Sequence, residues 1–163
     1  MKKILAIVGL SAVLAAGAPA FAQNAAQIAK ARQGVSCPKC NLFQADFNGL
    51  NMAGRNFSGS RLRQADMSAA VLNRTNFAGA DLRDVNAYGA VFSSANFSGA
   101  NLTHATFVGA FLQGSNFKGA ILDGANFAGA EMNRAIGLTQ AQLNHACGDE
   151  STLLPRGLHI PHC

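Results

Sequence analysis

Four cysteines are the residues of this chain best suited to chemistry. Cys37-Pro38-Lys39-Cys40 is a C-x-x-C, and Cys147 and Cys163 lie near the C-terminus. A C-x-x-C works as a redox centre when a helix N-terminus or a nearby cation favours the thiolate. Lys39 is the only charge inside the motif, and the same spacing serves a local disulfide or a buried thiol at the edge of a fold. Cys147 and Cys163 enclose a loop of about fifteen residues, whose closure is worth roughly 3 kcal/mol in the chain-entropy model. The alternative is a metal site drawing on His145, His159, His162 and these two cysteines, but the histidines lack the regular spacing of a ligand set. No P-loop or dinucleotide fingerprint occurs, and the carboxylates are scattered. The expectation is a protein that is not an enzyme and that holds no cofactor and no metal.

The N-terminus reads as an export signal. Lys2 and Lys3 are followed by an apolar run over residues 4–16 and by Ala20-Phe21-Ala22, an A-x-A cleavage pattern. The run is shorter than the roughly 20 residues a membrane span needs, and no cysteine follows it to accept a lipid. Residues 1–22 are therefore expected to be a signal peptide, leaving no transmembrane span in a periplasmic or secreted mature chain. That compartment favours disulfides. Loss of Lys2 and Lys3 lowers the formal charge from +5 to +3, a weak attraction for any polyanion. Residues 23–39 form a leader rich in helix-forming Ala, Gln, Lys and Arg, expected as a frayed segment or a short helix against the N-terminal edge.

What positions all these residues is a repeat. From residue 40 to residue 134 the chain repeats every five residues without insertion, nineteen units in all. Each unit has a small residue, a polar residue, a bulky apolar centre and two small or polar residues, as in Ala95-Asn96-Phe97-Ser98-Gly99. A period of five matches neither helix nor flat strand; it requires a corner in every unit. A second period of twenty lies above it. Every fourth centre gives the columns Leu42, Leu62, Leu82, Leu102, Leu122 and Phe57, Phe77, Phe97, Phe117, with Asn56, Asn76, Asn96 and Asn116 in step. Four units thus close one coil, and the repeats make about 4.75 coils stacked ~4.8 Å apart. At Val85-Asn86-Ala87 the small and large inward positions are exchanged, which nearly conserves core volume. The first coil departs from the pattern at Leu50 and Arg55, as an open end would allow.

Tandem units of this kind resemble the pentapeptide-repeat proteins over the whole of residues 40–134. The resemblance implies an all-β fold, a right-handed quadrilateral parallel β-helix, in a family whose members are mostly non-enzymatic. Some members mimic duplex DNA and bind topoisomerases. That role needs a strongly negative cytoplasmic rod, whereas this chain has a positive mature charge and an export signal, so nucleic-acid mimicry and nucleic-acid binding are both disfavoured.

Residues 135–163 are expected to cap the solenoid. Thr139 and Gln142 have capping-box spacing, Leu138 and Leu143 that of a hydrophobic staple, and Gly148 that of a C′ glycine. A short α-helical cap over about 140–147 should cover the last coil with Leu143, Ala146 and Cys147. A loop closed by Cys147 and Cys163 should follow. On the outside, Val71, Val91 and Phe111 fall in one column, with Tyr88 and Val108 around the neighbouring corner. They are a candidate interaction face, unless the leader or the cap loop covers them. Arg61 and Asp81 are expected to pair across coils, and Arg63, Arg83, Arg55, Arg61 and Arg74 form a basic side. The functional expectation is an exported, non-catalytic solenoid that acts as a rigid interaction or structural module. Its partner is an unidentified protein or a second copy, and the alternative is thiol redox or metal handling at Cys37 and Cys40.

Overall fold

The computed structural model describes residues 23–163; the expected signal peptide lies outside them. The corner is its elementary structure. From Ala45 onward, the residue that opens each unit donates its N–H to the carbonyl of the preceding centre, as Ala45 does to Leu42 (3.1 Å) and Ala100 to Phe97 (3.0 Å). The last residue within each corner takes a positive φ, 55–71° at every such position from Gln44 to Gly129. These two features define a type II turn. Glycine adopts that backbone without a Cβ penalty, which explains its frequency at this place in the unit.

The polar residue before each centre braces the same corner. Its side-chain oxygen accepts the N–H two residues on: Ser58 donates to Asn56 (3.0 Å), Ala78 to Asn76 (3.0 Å) and Ser98 to Asn96 (3.1 Å). Asn and Asp are the residues whose short carbonyl arms reach that N–H. The spare amide nitrogen then runs along the rod: Asn76 donates to Asn56 (3.3 Å) and Asn96 to Asn76 (3.2 Å).

Coils pair in parallel at an interval of twenty, through columns beginning at Asn41, Asp46, Asn51 and Asn56. These are the four sides. On each, one N–H points to the coil before and the next points to the coil after, as when Arg61 donates to Cys40 and Leu62 to Asp81, both at 2.8 Å. The centres are buried, and the expected phenylalanine column stacks at 5.8, 5.4 and 5.2 Å between successive rings of Phe57, Phe77, Phe97 and Phe117. Val85 and Ala87 are both buried, so the exchange of sizes is accommodated. Where a hydroxyl replaces the small inward residue, it donates to a carbonyl of the preceding coil: Ser60 to Cys37, Thr75 to Met52 and Ser115 to Phe92, at 2.7–3.0 Å.

The rod begins earlier than the repeat pattern indicates. Cys37 occupies a centre, buried, with its N–H on Asn56 (2.9 Å), and Lys39 donates to Ser58 (2.8 Å) with φ 57°. Pro38 sits at the turn position its fixed φ suits. The C-x-x-C is therefore a corner of the solenoid. Ahead of it, the leader forms α1 (Ala25–Arg32), capped by Asn24 and seated through buried Ala31. The N-terminal coil is covered at α1, not open there.

At the other end the capping box at Thr139 and Gln142 is present, but α2 is a single turn, Gln140–Leu143. The expected helix to residue 147 is not formed. Cys147 instead pairs with Asn126 and Leu153 with Glu131, at intervals of 21 and 22. Unpaired backbone on the last coil takes the chain back into the stack, and this outweighs another helical turn. Gly148 is not a left-handed C′ residue. It is required because a Cβ there would meet Thr152 Oγ1 at 2.7 Å and Ile160 Cγ2 at 2.8 Å.

Candidate interaction face

With the inward positions filled by core, the outer columns and the two ends carry whatever chemistry remains. Val71, Val91 and Phe111 are bridged to one another on the Asn51 side, in the expected ladder. Each is half-buried because its stacked neighbours cover its flanks. Tyr88 stands 60% exposed and Val108 half-buried at the adjacent corner. The leader does not hydrogen-bond to this side: Gln27 Oε1 accepts the Asn41 N–H (2.7 Å), and Arg32 reaches the Asp46 carbonyl and carboxylate. The C-terminal segment extends the column through Leu153 on Glu131 and does not lie across it.

Two of the five arginines on the basic side are paired with carboxylates. Arg83 takes the Asp81 carboxylate with two hydrogen bonds (2.8 and 2.7 Å), holding its pKa down and raising that of Arg83. Arg63 pairs with Asp84 at 3.2 Å. The expected Arg61–Asp81 ion pair is thus replaced: the two are paired through their backbones, while the Arg61 guanidinium lies 4.8 Å from the Phe43 ring centre. Short local geometry wins because Arg83, two residues on, reaches Asp81 around one corner. Arg74 has no carboxylate partner among the described residues. It lines a surface recess of about 290 Å³ with Asn73, Ser93 and Ser94, one corner beyond Val71 and Val91. Sequence reasoning missed this recess because it depends on side chains from two coils.

The cysteines lie in two pairs at disulfide distance, with Cα separations of 5.5 Å for Cys37 and Cys40 and 4.8 Å for Cys147 and Cys163. The first pair joins two inward positions of one corner, and the second ties the C-terminus to the last coil. His145, His159 and His162 are exposed, and no group of three or more His, Cys, Asp or Glu among the described residues could hold a metal. His145 approaches Asp123 at 4.0 Å, and the His162 backbone pairs with Gly148. Sequence reasoning also missed three apolar side chains near the C-terminal end, Ile121, Ile136 and Leu153, exposed by 45, 57 and 48%. The two isoleucines were readable as apolar residues in otherwise polar columns; Leu153 was hidden by its irregular spacing.

A family profile described as pentapeptide repeats matches in eight copies, over residues 40–79, 56–86, 70–109, 100–136 and 112–147. The chain belongs to the pentapeptide-repeat family. Among solved pentapeptide-repeat structures it is similar to one from the Arabidopsis thaliana thylakoid lumen, with 30% identity over 50% of this chain and 68% of that one (TM-score 0.38). It is also similar to HetL of the cyanobacterium Nostoc sp. strain PCC 7120, a protein involved in heterocyst differentiation regulation. There the identity is 28% over 71% of this chain and 58% of HetL (TM-score 0.37). A trypsin-treated variant of QnrB1, a plasmid-mediated fluoroquinolone resistance protein, shares 22% identity over 78% of each chain (TM-score 0.37). No curated protein is detectably similar in sequence.

Proposed function

We propose that this pentapeptide-repeat protein is an exported, non-catalytic rod that serves as a rigid interaction module, with the Val71–Val91–Phe111 side as its binding surface. The observation that carries this reading is the division of side chains in the solenoid. Apolar centres and small residues are consumed by the core, many outward Asn and Asp residues brace corners, and Val71, Val91 and Phe111 form an outward apolar ladder over three successive coils. A column of side chains on a stack of paired coils moves little on binding, which suits a preorganised surface. Export through residues 1–22 accords with both cysteine pairs being oxidised in the mature protein. The formal charge of +3 without Lys2 and Lys3 is opposite in sign to what mimicry of duplex DNA requires. No helix among the described residues is long and apolar enough to cross a membrane.

The test combines export with binding. The tagged protein is expressed in its own cells and cross-linked, and the periplasmic fraction is then purified beside the Phe111→Asp variant. The reading expects a mature chain beginning at Gln23, no free thiols, and a cross-linked partner or second copy that the variant fails to hold. A chain retained at full length in the cytoplasm, or a variant that keeps the same adducts, would contradict it.

A further inference from the structure

We propose that the recess at Asn73, Arg74, Ser93 and Ser94 is a carboxylate subsite, and that the segment docking on the Val71–Val91–Phe111 side is an acidic, otherwise apolar peptide. This rests on the interaction reading above and gives it a partner chemistry. The first ground is charge. Arg32, Arg63 and Arg83 each have a carboxylate of this chain, at 3.0, 3.2 and 2.7 Å. Arg74 is exposed and has none among the described residues, and no acidic residue lines the recess.

The second ground is the donor set. Asn73 Oδ1 already accepts the Ser93 N–H at 2.9 Å, so the amide nitrogen is the part of Asn73 left to bind. With it stand a guanidinium and two hydroxyls, which together match an oxyanion. The corner column reads Gly54, Arg74, Ser94, Gly114. A Cβ at Gly54 would meet nothing within 4 Å, and one at Gly114 would stand 3.2 Å from Ser94 Oγ. Glycine at position 114 therefore leaves the Ser94 hydroxyl uncrowded at that end of the recess.

The third ground selects a peptide over a free anion. The recess lies two residues beyond Val71 and Val91 on the same two coils, so a ligand that fills it borders an apolar ladder that an inorganic anion would leave uncovered. Two coil spacings separate Val71 from Phe111, roughly 10 Å, or about three residues of extended chain. One short segment laid along the rod therefore reaches both ends of the ladder with two alternate side chains.

The experiment titrates the isotope-labelled protein with three probes, following backbone amide shifts. The probes are a terminally blocked peptide alternating valine and glutamate, the same peptide with glutamine for glutamate, and inorganic sulfate. The glutamate peptide should shift Asn73, Arg74, Ser93 and Ser94 together with Val71 and Val91. It should bind at least tenfold more tightly than the glutamine peptide, an advantage lost in Arg74→Gln. Equal binding of the two peptides, an unaffected Arg74→Gln, or sulfate reproducing the whole pattern would overturn the proposal. If Phe111→Asp abolishes adducts in cells while Arg74→Gln does not, the binding side stands and the carboxylate subsite falls. If neither variant loses them, the functional reading falls as well. Melting curves of both variants confirm that the rod is folded.

Discussion

The two ends of the rod meet the same problem with opposite chemistry. On the Asn41 side the first coil presents an N–H that has no coil before it, and Gln27 of α1 supplies the acceptor, Oε1, at 2.7 Å. At the other end, the carbonyls of Phe117 and Ala120 face outward, and Gln142 of α2 supplies the donor, Nε2, at 3.0 and 2.8 Å. A glutamine amide carries both groups, so one residue type closes either end of a parallel stack. The neighbouring Asn56 N–H is met in the same manner by Ser36 Oγ at 3.0 Å. A solenoid edge left bare would expose core and unpaired backbone. The difference lies in the fastening: a helix and a corner disulfide at the start, and chain returned to the stack, tied by a long-loop cysteine pair, at the finish.

That contrast can be broken at several strengths. The middle of the rod sets the scale. Phe97→Ala removes a ring stacked on both sides and should cost about 3–5 kcal/mol; an unchanged melting temperature would refute the inward assignment. Cys147→Ser should cost about 3 kcal/mol and Cys37→Ser about 2, because the enclosed loops differ in length and loop entropy rises with length. Chemical denaturation of the two variants checks the order, and a larger loss at Cys37 would show that packing of the first corner outweighs the cross-link. Gln142→Ala and Gln27→Ala should each cost about 1 kcal/mol, the low end of the range for a group left without its partner, because these bonds are only partly buried. The former should be the larger because two carbonyls lose their donor, and equal losses would remove that distinction.

The smallest effect is electrostatic. At the C-terminal end the Asp149 carboxyl accepts from the Ser151 hydroxyl, the Gly129 N–H and the Thr152 hydroxyl, and these hold its pKa down at about 2. At the N-terminal end Asp46 is lowered by the Asn48 N–H first and then by Arg32. A depressed carboxylate stabilises the fold above its unfolded pKa, and that contribution is lost as pH falls through the folded value. Acid should therefore loosen the Asp149 turn progressively from about pH 4 down to about 2. Carbon-detected titration of Asp149 with a midpoint near 3.8 would contradict the account.

The comparison of the ends also shows where sequence was informative. Periods of five and twenty were written in the centres, so the four sides, the stacked Phe57–Phe117 column and the Val71 ladder were all legible. The first corner was not, because Cys37 stands where a large apolar centre is expected and Pro38 disguises a turn as a linker. The last coil was misread for a related reason. Thr139 and Gln142 signal a helix start correctly, but local signals do not reveal that the edge at Asn126 and Glu131 captures the chain again at Cys147 and Leu153. The Arg61–Asp81 expectation failed through competition between partners that only side-chain geometry resolves. The recess beside Arg74 needed two coils in place to be seen.

All functional readings depend on the rod being one continuous, closed stack from Cys37 to Leu153, so that binding is confined to its outside. Native-state hydrogen exchange tests this most directly. The paired N–H groups of Cys37, Lys39, Cys147 and Leu153 should exchange only slightly faster than those of Phe77 and Phe97. Free exchange at either end, with protection confined to the middle coils, would contradict it.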